Sequence, residues 1–329
     1  MARETKEIRW GILGPGSIAN AFAEGLKSVP GARLVACGSR SREKAEAFGA
    51  KWNVPRRHAG YDELARDPDV DAIYVATPHP FHAENAIRCL EAGKAVLCEK
   101  PFTINAAQAE RVVAVARVRK RFLMEAIWSR FLPHVVEARR VVASGRIGEV
   151  RMVCADFGFR CGWDPASRLL DPALGGGALL DVGIYTVSLA AMFLGTPTEI
   201  RALAHLGETG VDEQAAMLFG YPGGALAVLS TAVRTNTPQE ATIIGTEGRV
   251  RLHAPWWRPS KLTVSAGGAD ETSEPPKVGN GYNYEAVEVA RCLREGLLES
   301  PTIPLEETLA IMKTLDRIRE QFGLRYPME

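Results

Sequence analysis

Short apolar runs alternate with stretches of helical periodicity through the first part of the chain. Glu7–Leu13, Arg33–Gly38, Ala72–Ala76, Ala95–Cys98 and Phe122–Ala126 read as strands. Between them, Ile18–Lys27, Glu43–Trp52, His82–Ala92 and Ala107–Lys120 read as helices, several with apolar residues at i, i+3 and i+4. Repeated strand–helix alternation implies right-handed crossovers and a doubly wound parallel sheet covered on both faces.

The rhythm changes after residue 126. A helix over Pro133–Ala143 is followed by a strand-like run, Glu149–Phe159, and a glycine-rich turn, Gly175–Gly177. The longest apolar stretch, Ala178–Leu194, contains Asp181 and falls short of the roughly 20 residues a membrane helix needs, so it reads as a buried helix. Its carboxylate then requires a partner. Strand candidates follow in succession: Glu199–His205, Ala215–Tyr221, Leu226–Val233, Ala241–Gly245, Arg249–Leu252 and Leu262–Ser265. Strands without intervening helices predict an α+β domain with a large, mostly antiparallel open sheet. The polar segment 267–281, with Pro275–Pro276, reads as a long exposed loop. Two helices close the chain. The last starts at Pro304 with Glu306 and Glu307 in its first turn, and ends with Arg317 and Arg319 before Gly323, as the helix dipole favours.

With 329 residues, the chain has room for two domains, divided here as 1–126 and 127–329. The charge of +1 gives no general pull toward nucleic acid or an anionic membrane. Six cysteines without a CxxC pair indicate neither a zinc ribbon nor a disulfide scaffold and suit a reducing cytoplasm. The amino terminus shows no signal-peptide pattern. Apolar residues on both faces of the Leu226–Val233 strand, with no later segment able to cover a second face, point to a homodimer joined sheet to sheet.

The strongest chemical signal opens the chain. Gly11-Ile-Leu-Gly14-Pro-Gly16-Ser17-Ile18-Ala19 follows a strand and enters a helix, the context of a dinucleotide-binding Rossmann turn. Gly14 makes the tight turn, Gly16 lets a pyrophosphate approach the backbone, and Ala19 lets the helix sit close on the strand. The helix start at Ser17 and Ile18 supplies N–H groups and positive dipole. The next strand runs into Ser39 and Arg40 with no acid, and Arg42, Glu43 and Lys44 follow. A carboxylate would repel a 2′-phosphate and a guanidinium binds it, so NADP(H) is favoured over NAD(H).

With Val75-Ala76-Thr77-Pro78 and His82, Glu99-Lys100-Pro101 and Asp181-Val-Gly-Ile-Tyr185, the sequence resembles the Gfo/Idh/MocA family of oxidoreductases over roughly residues 7–322. The stretch from Glu125 through Trp128 and Arg130 to Pro133, with Tyr185, is most similar to its dimeric dihydrodiol dehydrogenase and NADP-dependent sugar (xylose, glucose) dehydrogenase branch. The inositol dehydrogenase branch commonly has His in place of Tyr185. The resemblance implies a cis bond at Pro101, cofactor contacts at Thr77, Pro78, His82, Glu99 and Lys100, and a homodimer.

Lys100, Tyr185 and Asp181 form the candidate catalytic set. Lys100 lies past the end of a strand, where open α/β sheets bind ligands, and Pro101 restricts its backbone. Asp181 and Tyr185, four residues apart, share a helix face, and Lys100 is a candidate partner for the buried Asp181. His79 and His82 are three apart but lack a nearby Cys or paired acid, so no metal is expected. Trp128, Phe157, Phe159, Trp163, Trp256 and Trp257 are candidates for a substrate wall, with core packing an equal alternative for each. Arg130 and Arg160 are candidates for substrate or interface contacts.

The resulting expectation is hydride transfer between nicotinamide and a secondary alcohol or carbonyl of a sugar or trans-dihydrodiol, the Lys100 ammonium lowering the pKa of the Tyr185 phenol. Two alternatives are an NAD-dependent glycosidase on the same scaffold and a catalytically inactive cofactor-binding sensor or assembly protein.

Overall fold

The computed structural model describes residues 7–329, and its chain divides into two compact units. The first contains residues up to Trp128 together with Val278–Leu309; the second contains Ser129–Lys277 and Ala310–Glu329. Residues 278–309, placed in the second domain by the contiguous division at 126, therefore cluster with the first.

In the first unit the elements are β1 (Ile8–Leu13), α1 (Ser17–Leu26), β2 (Ala32–Gly38), α2 (Arg42–Trp52), β3 (Arg56–His58), α3 (Tyr61–Ala65), β4 (Ala72–Val75), α4 (His82–Glu91), β5 (Ala95–Glu99), α5 (Ala106–Arg119) and β6 (Leu123–Ala126). The strands pair in parallel in the order β3-β2-β1-β4-β5-β6. Every residue of β4, β5 and β6 is buried, as expected of strands covered on both faces. Ser41 caps α2 by accepting from the Lys44 N–H at 3.3 Å, and Asn105 caps α5 by accepting from Gln108 N–H at 2.9 Å.

The short β3 and α3 lie outside the expected elements. β3 is the polar tripeptide Arg-Arg-His, and ion pairing anchors it. The buried Asp67 carboxylate binds Arg56 Nε at 2.5 Å and lies 2.8 Å from His58 Nε2. Arg56 and the backbone N–H of Asp69, with His58, hold Asp67 below its ordinary pKa against the opposing effect of burial.

The second unit contains α6 (Pro133–Ala143), β7 (Val150–Gly158), a π-turn over Leu179–Gly183 running into α7 (Ile184–Leu194), and strands β8 (Glu199–Leu206), β9 (Asp212–Gly220), β10 (Leu226–Ala232), β11 (Ala241–Gly245), β12 (Gly248–Leu252), β13 (Leu262–Ala266) and β14 (Ala269–Ser273). The eight strands run β14-β13-β12-β11-β7-β10-β9-β8, with β7 and β10 parallel and the other pairs antiparallel. β14 corrects the expected loop over 267–281. All five of its residues are exposed, so backbone pairing with β13 defines it rather than burial. One sheet face packs on α7 and buries Val153, Phe157, Ala227 and Leu229. The other leaves Leu203, Leu218 and Val228 exposed.

Two helices follow: α8 (Tyr282–Glu295) in the first unit, packed on α1, and α9 (Leu305–Gln321), within which the division between units falls. The Gln321 side chain at the end of α9 accepts from Ala202 N–H at 2.8 Å and donates to Ile200 O at 3.1 Å, fastening the helix to β8.

Candidate active site

The order of the parallel sheet reverses beside β1, between β1 and β4, and the turns after both strands rise at the carboxyl edge where open α/β sheets bind nucleotides. Gly14 has φ +89°, and a Cβ there would lie 3.0–3.2 Å from Thr77 Cγ2 and the Ala76 carbonyl group. Only glycine meets both requirements. A Cβ on Gly16 would meet no protein atom within 4 Å, which leaves the approach to the start of α1 open. That opening, in front of unpaired helix N–H groups, fits a dinucleotide pyrophosphate. Ala19 is fully buried against the sheet, as the motif requires.

At the end of β2, Ser39 N–H donates to His58 O at 3.1 Å, and Ser39 Oγ accepts from Ser41 N–H at 3.2 Å. These bonds shape the turn that presents Arg40. The Arg40 guanidinium lies 5.3 Å from the centre of the Phe81 ring, after β4. Lys44 stands exposed in the first turn of α2.

Lys100 follows the last residue of β5, and its bond to Pro101 is cis, as the resemblance implied. Two struts hold this loop. Phe102 N–H donates to the buried Glu125 carboxylate at 2.9 Å, and His82 Nδ1 lies 2.8 Å from Pro101 O. His82 Nε2 lies 2.7 Å from Thr77 O, so this ring links the loops after β4 and β5. Burial lowers the His82 pKa to about 4, and the neutral ring has a single N–H to share between the two carbonyls. Glu99 accepts from the Tyr74 hydroxyl and, at 3.1 Å, from Lys100 N–H. Among the described residues no three His, Cys, Asp or Glu side chains gather as metal ligands.

In the second unit, Tyr185 lies in the first turn of α7 with its ring 5.4 Å from that of Phe157. Phe157 stacks on Trp257 at 4.3 Å and neighbours Phe159 at 6.5 Å, so Tyr185, Phe159 and Trp257 form one aromatic cluster around Phe157. Asp181, in the π-turn, is buried and accepts from Arg168 Nη1 at 2.8 Å. Arg168 was missed in the sequence; the buried carboxylate's need for a cation was the only signal available. Trp163 is half exposed and lies under the Arg234 guanidinium.

Other candidates make the following contacts within their own units. Trp128 is buried and stacks on Tyr282 at 4.3 Å. Arg130 is buried and donates to Ser188 Oγ at 2.7 Å and Ser188 O at 2.8 Å, which ties its turn to α7. Trp256 is a core residue whose Nε1 donates to Asp156 O at 2.8 Å. The Arg160 backbone N–H donates to Asn236 Oδ1 at 2.9 Å, bracing the loop after β7.

Residues 8–127 match the oxidoreductase family with an NAD-binding Rossmann fold, and residues 135–251 match the GFO/IDH/MocA C-terminal domain. The chain belongs to the Gfo/Idh/MocA family. It is therefore an oxidoreductase with an NAD(P)-binding Rossmann domain. Relatives include trans-1,2-dihydrobenzene-1,2-diol dehydrogenases of Mus musculus, 41% identical, and Homo sapiens, 39% identical. Each alignment covers 98% of this chain and 99% of the relative. Among solved structures, the aldose–aldose oxidoreductase of Caulobacter crescentus complexed with glycerol superimposes with a TM-score of 0.89 at 28% identity, covering 96% of this chain and 97% of that one. A 3-ketoreductase of Actinomadura kijaniata with NADP and TDP-benzene gives 0.85 at 29% identity, covering 96% and 98%. For this Gfo/Idh/MocA oxidoreductase, the open approach above Gly16 and the loop bearing Lys100 belong to the nucleotide-binding edge of the first unit. The aromatic cluster that includes Tyr185 belongs to the second.

Proposed function

We propose that this oxidoreductase is NADP(H)-dependent and interconverts a secondary alcohol and its carbonyl in a trans-dihydrodiol or a sugar. The observation that carries the cofactor choice is the end of β2, where Arg40 stands in a turn without a carboxylate and against the Phe81 ring. The dihydrodiol dehydrogenase relatives and sugar oxidoreductase neighbours support the substrate class.

When bound, the dinucleotide supplies or accepts the hydride at nicotinamide C4. Gly14, Gly16 and the start of α1 hold its pyrophosphate, with Thr77 and Pro78 lining the loop after β4. The His82 and Glu125 struts keep the Lys100 loop in one geometry. Tyr185 exchanges a proton between its hydroxyl and the substrate oxygen, and the Lys100 ammonium favours the phenolate during that exchange. Asp181, paired with Arg168, fixes the helix start from which Tyr185 projects. Phe159, beside the Phe157–Trp257 stack, and the half-exposed Trp163 offer apolar surface to a ring.

The open sheet face carrying Leu203, Leu218 and Val228 packs on the same face of a second copy, making a homodimer. All six cysteines are free thiols, which suits a reducing cytoplasm.

Absorbance at the reduced-nicotinamide band across aldoses, diketones and aromatic dihydrodiols tests the function. Turnover with NADPH or NADP on at least one class is expected. Release of reducing sugar from glycosides without net nicotinamide change would favour the glycosidase alternative, and absence of turnover on the whole panel would favour the inactive sensor.

A further inference from the structure

The glycine turn ahead of the Asp181–Tyr185 segment is held by groups that no catalytic step above uses. Asp212, the first residue of β9, is completely buried. Its Oδ2 accepts from the Leu179 N–H, the opening residue of the π-turn, at 2.6 Å. Among the described residues its Oδ1 has no hydrogen-bond partner, and it faces Gly177, where a Cβ would lie 2.1 Å away. Gly177 also has φ +114°, so the turn excludes a side chain on two counts.

Tyr326 reaches the same turn. Tyr326, buried, donates its hydroxyl to Gly176 O at 2.7 Å. Glu329 holds Tyr326 in place, accepting from Tyr326 N–H at 2.9 Å and from Arg319 at 2.8 and 2.9 Å. Arg319 also donates to Asp316 at 2.7 Å and lies 5.1 Å from the centre of the Tyr326 ring. Arg319, expected from the sequence as a helix-end charge, is thus buried and clasps Tyr326 and Glu329. Retaining Asp212 here is costly. Burial pushes its pKa up to about 7, although the backbone N–H groups and Arg319 pull the other way. An apolar residue of similar volume would avoid that cost and would also leave the Leu179 N–H without its acceptor.

We propose that Asp212 and the Arg319–Tyr326–Glu329 clasp are positioning residues that fix the Gly175–Gly177 turn, and through it the azimuth and depth of the helix carrying Asp181 and Tyr185. This rests on the reading of Tyr185 as the proton-transfer group. Asp212 acts as a backbone acceptor, so an amide oxygen replaces it and a methyl does not. Tyr326 acts through one hydroxyl.

The test compares Asp212→Leu, Asp212→Asn, Tyr326→Phe and Tyr185→Phe in the full-length protein. It measures NADPH dissociation constants, kcat and KM on the best substrate of the panel, and amide hydrogen exchange by mass spectrometry. Asp212→Leu should lower kcat about ten- to a hundredfold, as a small misplacement of a reacting group does, with KM and NADPH affinity within about threefold. Asp212→Asn should recover most of that loss, and Tyr326→Phe should show a smaller loss of the same kind. Exchange of the amides over 178–185 should accelerate in Asp212→Leu and Tyr326→Phe, while those over 11–20 stay unchanged.

Wild-type exchange over 178–185 in both variants overturns the latch, whatever the activity. Faster exchange with unchanged kcat, where Tyr185→Phe abolishes turnover, overturns the positioning role. If Tyr185→Phe itself turns over normally, only the tyrosine assignment fails, and the exchange result still decides the latch. If Asp212→Leu does not fold, Tyr326→Phe, which removes a single hydroxyl, carries the same comparison.

Discussion

Replacing Arg40 with alanine separates the phosphate-bearing cofactor from its analogue without that phosphate. The side chain is exposed at the end of β2 and lies over the face of Phe81, 5.3 Å from the ring centre. Its removal leaves no buried group unpaired, so the fold should tolerate it. One charge-assisted hydrogen bond is worth about 1.5–3 kcal/mol, so NADPH affinity should fall roughly ten- to a hundredfold. NADH, which has no phosphate at that position, should bind the variant within about twofold of wild type. Phe81 provides an internal check. An exposed cation–π contact contributes about 0.5–1 kcal/mol, so Phe81→Leu, which frees the guanidinium, should cost NADPH about two- to fivefold and leave NADH unaffected. Both constants are read by protein-fluorescence titration at fixed ionic strength, because salt screens an exposed guanidinium. Equal wild-type affinities for NADPH and NADH, or a parallel loss of both on Arg40→Ala, would refute the assignment of Arg40 to the 2′-phosphate.

Tyr185→Phe keeps the ring in its aromatic cluster and should cut turnover about 10²–10⁴-fold with NADPH binding intact; near-normal turnover, with hydride transfer shown by isotope effect to be rate-limiting, would leave Lys100 as the acid–base group. Lys100→Met should be at least as damaging, and the double variant little worse than the worse single, whereas additive losses would show that the two act independently. Leu218→Glu with Val228→Glu places charge on adjacent positions of the open sheet face, and light scattering should report the dimer dissociating toward the 35.7 kDa chain; a wild-type particle already of that mass would rule the dimer out. Glu285 of α8 is fully buried with no hydrogen-bond partner among the described residues on either oxygen, and burial together with the charge of Glu99 raises its pKa well above 4.5. The folded state therefore keeps a proton that the unfolded chain loses near pH 4.5, so stability falls as pH rises from there toward the folded pKa. Glu285→Gln should flatten that slope, seen as a smaller drop in Tm between pH 5 and pH 8; an unchanged drop would mean Glu285 does not titrate as its burial demands.

Much of the nucleotide-binding half was legible in the chain. Parallel strands in a sheet covered on both faces are largely apolar, so β1, β2, β4, β5 and β6 appear as apolar runs within a residue or two of their observed ends. Gly14 and Gly16 were readable because a tight turn and a backbone-to-phosphate approach each forbid a side chain, whatever surrounds them. Lys100 was readable because a residue past a buried strand in a doubly wound sheet lies at the ligand edge.

Two edge strands escaped the pattern. β3 and β14 are held by ion pairs and by backbone pairing, neither of which leaves a hydrophobic period in the sequence. Long-range partners escaped it too. Nothing local in residues 278–309 states that they return to the first unit, nothing around Arg168 marks it as the cation of Asp181, and nothing in Arg319 separates a solvated helix end from a buried clasp. The sequence alone determined which segments must be buried and where the backbone must lack a side chain, because those demands act over a few residues. Which polar groups satisfy one another inside was decided only when chain segments 13 to 150 residues apart came together, as with Arg168 on Asp181 and the Tyr326 hydroxyl on Gly176. A buried carboxylate or carbonyl requires a partner but does not specify where in the sequence that partner stands.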